Sequence, residues 1–149
     1  MKISGERLLH APLETVWDSL FDPAVLALCV PGCESLERED SGRYLASVVM
    51  AIGPLKAKFS GHLDITDIVE QKSCTLLFEG AGGAAGMAKG VAEVQLEATP
   101  DGTCLRYEAD AKISGKLAQV GARLIDSVAK KLAAQFFTRF EETVAVASK

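Results

Sequence analysis

The sequence predicts an α+β domain in which a curved antiparallel sheet grips a long C-terminal helix. From Gly115 to the C-terminus, apolar residues recur at helical spacing: Leu117, Val120, Leu124, Val128, Leu132, Phe136, Phe140 and Val144, with Ile125, Ala129, Ala133 and Phe137 widening the stripe. At about 1.5 Å per residue such a helix is roughly 45 Å long, enough to cross a whole sheet. Ahead of it lie segments that alternate apolar and polar residues with period two, the pattern of an antiparallel sheet wet on one face. Strands gathered together and followed by a terminal helix place the chain in the α+β class.

The elements follow in order. Residues 2–9 read as a strand ending at His10. Pro12 suits the first turn of a helix over 12–20, with Glu14 near its positive end and Val16, Trp17, Leu20 and Phe21 toward a core. Asp22-Pro23 opens a short helix over 23–28, an N-cap followed by proline, which stops before Pro31-Gly32. A meander of about six strands follows. In 43–52, Tyr44, Ala46, Val48, Met50 and Ile52 share a face; after the Gly53-Pro54 turn, Leu55, Ala57, Phe59, Leu63 and Ile65 do the same against Lys56, Lys58, Ser60, His62, Asp64 and Thr66. Strand 73–80 turns Cys74, Leu76 and Phe78 inward, and strand 91–98 turns Ala92, Val94 and Leu96 inward. After the Pro100-Asp101-Gly102 turn, strand 103–113 carries Leu105, Tyr107, Ala109, Ala111 and Ile113 inward and Arg106, Glu108, Asp110 and Lys112 outward. Ser114-Gly115 opens the final helix.

Composition narrows the function. The 149 residues read as one domain, 1–149; 48% are hydrophobic and 24% charged, so the chain can build a core. A net charge of −4 argues against non-specific nucleic-acid binding, which needs a basic footprint. No apolar run is long enough for a bilayer, and Met1 to Glu6 reads as the first strand rather than a signal peptide, so the expected location is cytoplasmic. Cys29, Cys33, Cys74 and Cys104 are then expected as reduced thiols. Their spacing, with only His10 and His62 for company, does not match a zinc site.

Catalytic motifs are hard to find. Gly80-Ala81-Gly82-Gly83-Ala84-Ala85-Gly86 has neither the spacing nor the flanking βαβ unit of a phosphate loop. It reads as a strand end, a bulged turn and a strand start, or as a flexible mouth with Met87 as an apolar lip. The carboxylates Asp64, Asp67, Glu93, Glu97, Glu108 and Asp110 fall mostly on wet faces, and Ser, His and Asp show no nucleophile-elbow spacing. Tyr44 and Tyr107 point inward, where a tyrosine commonly packs its ring and sends its hydroxyl to backbone or water. Small inward residues, Ala46, Ala57, Gly61, Ala92, Ala109 and Ala111, stand opposite the long helix; they allow either close packing or an unfilled apolar hollow.

Three separated segments carry a family resemblance: Pro31 to Glu37, Ile52 to Phe59 and Gly115 to Ile125. In that order they resemble the carbon monoxide dehydrogenase G-subunit family, over nearly the whole chain from Met1 to about Val144. The family belongs to the START/polyketide-cyclase superfamily, whose helix-grip fold matches the pattern already read. The resemblance implies a non-catalytic accessory role beside a molybdenum-containing dehydrogenase of the carbon monoxide dehydrogenase type, in membrane recruitment of, or electron transfer from, that enzyme. It implies a hydrophobic small molecule, a quinone or lipid, held between sheet and helix, no covalently bound cofactor, and a location peripheral to the inner face of the membrane.

The expected lining is Trp17, Met50, Phe59, Leu76, Phe78, Met87, Leu124, Val128 and Phe136; no catalytic or metal-binding residue is expected. One alternative is an assembly scaffold docking through Lys56, Lys58, His62, Arg123, Lys130, Lys131 and Arg139, charges that also suit a solvated surface. Another is a cyclase-like enzyme using Tyr44 or Tyr107, which lacks buried acid–base partners.

Overall fold

The computed structural model describes residues 1–147. Strand β1 (Lys2–Leu9) leads into helices α1 (Leu13–Phe21) and α2 (Pro23–Cys29), followed by β2 (Cys33–Arg38), β3 (Tyr44–Ile52), β4 (Leu55–Val69), β5 (Ser73–Ala81), β6 (Met87–Thr99), β7 (Gly102–Ser114), and helices α3 (Lys116–Gln119) and α4 (Ala122–Ala147). All seven strands form one antiparallel sheet in the order β1-β7-β6-β5-β4-β3-β2. β1 lies beside β7 while β2 lies at the far edge, so α1 and α2 carry the chain from one edge of the sheet to the other.

Local chemistry sets the boundaries. Asp22 caps α2 by accepting from the Ala24 N–H at 2.9 Å, with Pro23 at the first helical position. The terminal helix is not a single rod as the periodicity predicts. It breaks at Gly121, whose φ of 101° only glycine adopts readily, so α3 and α4 are separate. At about 1.5 Å per residue, the 26 residues of α4 span about 39 Å. Residues 148–149, the end of the predicted helix and domain, lie outside the described residues. β2 is a strand the sequence pattern did not separate from the Pro31 turn, because only Leu36 and, in part, Cys33 are shielded on it. β4 outruns its predicted end through a bulge between Thr66 and Val69, with Asp67 in the left-handed region at φ 49°.

The core gathers at one end of the sheet. Leu9, Val16, Cys29, Phe140 and Val144 are fully excluded from water, with Trp17, Cys74, Leu96 and Leu105 beside them. Thr103, also fully buried, donates to the Ala11 carbonyl at 2.8 Å and ties β7 to the turn after β1. Arg7 and His10 reach Glu141 on α4 at 3.5 and 2.7 Å. The C-terminal half of α4 is therefore held, whereas Leu124, Ile125, Val128, Ala129 and Leu132 in its first half stay half-buried despite lying on the same apolar stripe.

Cys29 and Cys74 are buried, Cys33 and Cys104 half-buried, and all four are free thiols. Burial pushes the Cys74 thiol up to about 11 and raises Cys29 as well. A maleimide at mildly alkaline pH should thus leave Cys29 and Cys74 unlabelled in the folded protein and modify them only in denaturant. Mass mapping of the labelled peptides checks this, and rapid native labelling of either would contradict their burial.

Candidate functional site

The hollow forms where the inner faces of four strands offer almost no side chain. Register places Ala46 beside Gly61, Gly61 beside Gly80, and Gly80 beside Ala88, a row running across β3, β4, β5 and β6. Nothing in that row exceeds a methyl group. Two residues along each strand, roughly 6.8 Å away, the walls rise. Val48 and Phe59 stand on one side, and Tyr44, Leu63 and Phe78 on the other. Val30, Leu36, Met50 and Leu117 close in around it, and the resulting apolar hollow measures about 410 Å3. The row is thus a flat-floored trough with aromatic and aliphatic walls.

A second apolar hollow of about 180 Å3 adjoins the first and shares Leu63 with it. Leu20, Phe21 and Leu26 from the helical crossover, Ile65, Leu76 and Tyr107 from the sheet, and Phe136 and Phe137 from α4 line it. Its aromatic wall is built by ring contacts: Phe136 meets Phe137 edge-on at 5.1 Å, and Phe137 stacks on Tyr107 at 5.3 Å.

Polar groups at these hollows are few and committed. The Tyr44 hydroxyl donates to the Phe21 carbonyl at 2.5 Å, and burial holds the phenol above its usual range, so it serves as a strut between β3 and α1. The side chains of His62 and Glu79 approach each other at 3.9 Å, and both residues also border a depression on the outer face. Among the described residues no group of three or more His, Cys, Asp or Glu could hold a metal ion. The arrangement suits holding an apolar molecule.

The expected lining residues divide by position. Met50, Phe59 and Phe78 line the larger hollow, and Leu76 and Phe136 line the smaller. Trp17 lines neither. It is 5% exposed in the core, tilted against Phe21 at 4.8 Å, one ring behind the smaller hollow. Met87 is not an inner lip. β6 begins at Met87 rather than at residue 91, and strand alternation puts Met87 on the outer face with Lys89 and Val91. Leu124 packs against the β3–β4 turn, where a Cβ on Gly53 would lie 2.7 Å from its Cδ2. Val128 is half-buried a turn further along α4 and, like Leu124, borders neither hollow.

The glycine-rich segment is a strand end and a 3-10 turn, Gly83–Ala85, leading into β6. Gly86 is required there, because its φ is 111° and a Cβ would meet the Ser114 carbonyl oxygen. Of the cationic positions considered for docking, Lys58 pairs with Glu34 at 3.2 Å and Lys130 with Asp126 at 3.0 Å, as surface pairs do. No helix among the described residues is long and apolar enough to cross a membrane.

Sequence reasoning missed the trough floor at Gly80 and Ala88 and the closing residues Val30, Leu36 and Leu117. Gly80 was within reach: the alternation that turns Cys74, Leu76 and Phe78 inward continues to it. Val30 and Leu36 come from a loop and a short strand with no period to read, and Leu117, though it heads the apolar stripe, lies on α3, ahead of the break at Gly121.

A family model for the G subunit of carbon monoxide dehydrogenase (CoxG) matches residues 5–145. A conserved protein from Geobacillus kaustophilus, solved by crystallography, superposes with a TM-score of 0.92 at 31% identity, covering 100% of this chain and 98% of the other. A START superfamily protein from Mycobacterium smegmatis superposes at 0.72 with 14% identity, covering 98% of each chain. A protein from Thermus thermophilus gives 0.72 at 18% identity over 100% of both. No curated protein matches. The chain thus has the START-like, helix-grip fold that the sequence implied.

Proposed function

The chain belongs to the CoxG family, the G subunit of carbon monoxide dehydrogenase, and on that premise we propose that it carries a quinone for a molybdenum-containing dehydrogenase. The flat ring lies on the Ala46-Gly61-Gly80-Ala88 floor between Phe59 and Phe78, and the tail follows Leu63 toward the smaller hollow or out past α4. The observation that supports this reading is the trough: a floor with nothing larger than a methyl group between apolar walls leaves room for a planar ring. Its volume of about 410 Å3 falls within the usual range of small-molecule sites, about 300–1,000 Å3. Burying the tail adds roughly 25 cal/mol per Å2, so apolar contact can supply most of the affinity. The carrier is reduced at the enzyme and reoxidised at the membrane, and the protein shields it from water between the two. The carrier role asks no acid–base step of the protein, which acts as an accessory rather than as the catalyst.

The test is organic extraction of protein purified without detergent, followed by mass spectrometry, with titration of added quinone against Trp17 fluorescence. Trp17 contacts Phe21 at the smaller hollow, so an occupied site is expected to quench it. Recovery of quinone at near one per chain is the expected result. An extract holding only acyl lipids would overturn the quinone assignment, and one with no apolar molecule, together with unquenched fluorescence, would overturn the carrier role.

A further inference from the structure

On the outer face of β6 and β7 the chain places like charges directly opposite each other twice. Lys89 is the register partner of Lys112, and Glu93 is the register partner of Glu108. Like charges across a ladder are destabilising, all four side chains are exposed, and among the described residues none of them makes an ion pair. Between the two pairs lies the row of Leu77 and Val91, which are 38% and 43% exposed, ending at Asp110. On its other side Lys89 has Glu79 as register partner, whereas Glu93 has Thr75 and Glu108 has Ser4, so the acidic pair has no opposite charge beside it in the ladder.

The arrangement has a symmetry. Val91 lies midway between Lys89 and Glu93, and Asp110 midway between Lys112 and Glu108. We propose that this outer face binds a second copy of the chain about a twofold axis lying along the Leu77-Val91-Asp110 row. That rotation inverts positions along each strand and keeps the strand itself. It therefore sets Lys89 over the partner's Glu93 and Lys112 over the partner's Glu108, and the two reciprocal contacts arise by symmetry. Four attractive contacts between the chains are thereby set against the like-charge pairs that each chain carries in its own ladder. Leu77 and Val91, which line a shallow depression on this face, stand over their own copies at the centre. Asp64, the register partner of Leu77, and Asp110 also face their copies, but Arg43 pairs with Asp64 at 2.9 Å, and Asp110 has Lys2 as register partner with the Met1 amino group 3.8 Å away, so both charges are compensated. Two sheets packed face to face sit about 10 Å apart, within reach of lysine and glutamate side chains. The hollow on the inner face takes no part, so this proposal stands apart from the carrier role.

Sedimentation equilibrium and native mass spectrometry test it. The wild type is expected at about twice its 15.8 kDa chain mass, falling toward the monomer in high salt. Lys89→Glu with Lys112→Glu makes all four paired positions acidic, and Glu93→Lys with Glu108→Lys makes all four basic; each variant alone is expected to be a monomer. Mixing them is expected to restore the dimer mass as a one-to-one heterodimer, which simple misfolding of either variant would not allow. A wild type monomeric at every concentration overturns the proposal, as does a dimer that survives both charge variants or a mixture that fails to associate. Circular dichroism of the variants is expected to match the wild type, since the changed residues are exposed.

Discussion

Gly80→Leu is expected to weaken quinone binding roughly tenfold to a hundredfold while leaving the fold intact. Gly80 sits at the centre of the trough floor, and a Cβ built there meets no atom within 4 Å. Its backbone is ordinary strand, paired to Gly61 on one side and Ala88 on the other, so no ladder bond is lost. A leucine side chain would occupy the space that a flat ring needs. A guest forced into an overfilled site loses about 1–3 kcal/mol, or roughly tenfold to a hundredfold in affinity. Stability should hold or rise, because glycine within a strand costs roughly 0.5–1 kcal/mol relative to alanine. The neighbouring change, Gly61→Ala, is the contrasting control. There a Cβ would lie 2.3 Å from the Glu79 carbonyl oxygen, so backbone must move and the melting temperature should fall. Quinone titration by Trp17 fluorescence, paired with thermal melts of both variants, reads the two effects separately. Unchanged affinity in Gly80→Leu would place the guest elsewhere.

The contrast between those adjacent glycines shows where sequence reasoning stops. Period-two alternation found the inner faces of β3, β4, β5, β6 and β7, and so identified Met50, Phe59, Leu76 and Phe78 as inward residues; each of these borders a hollow. It marked Ala46 and Gly61 as small inward positions without showing that register would align them with Gly80 and Ala88 in one row. Register depends on hairpin geometry, and that alignment is a property of four strands at once. Helical periodicity was legible along α4 but gave the same weight to Leu124 and Phe140, although only Phe140 is fully buried. An amphipathic stripe shows which side of a helix turns inward and nothing about whether atoms wait there. Met87 was misplaced because the strand start set at residue 91 left it in a loop; the alternation that turns Ala92, Val94 and Leu96 inward, carried back four residues, puts it on the outer face. The break at Gly121 looked like one small residue in a helical run, because glycine accepts either sign of φ and the packing of the flanking helices selects between them.

Phe140→Ala is expected to be the most destabilising single truncation in α4. The ring is fully excluded from water, stacks on Phe136 at 5.8 Å with planes 17° apart, and belongs to the cluster that joins α1, α2, β1 and the sheet. Truncating a buried phenylalanine costs about 3–5 kcal/mol, the lost transfer energy plus the cavity left behind. That is a large part of the 5–15 kcal/mol typical of whole domains, and corresponds to a fall in melting temperature of roughly 6–20 °C for a chain near this size. Leu124→Ala, several turns nearer the start of α4 on the same stripe, is expected to cost far less, because its side chain is only half-buried. Urea denaturation of the two variants measures the difference directly. Equal losses would mean that α4 is packed evenly along its length. Unequal losses fit a helix fastened at its C-terminal end, whose first half contributes little to stability and can shift to admit or release a guest without unfolding the domain.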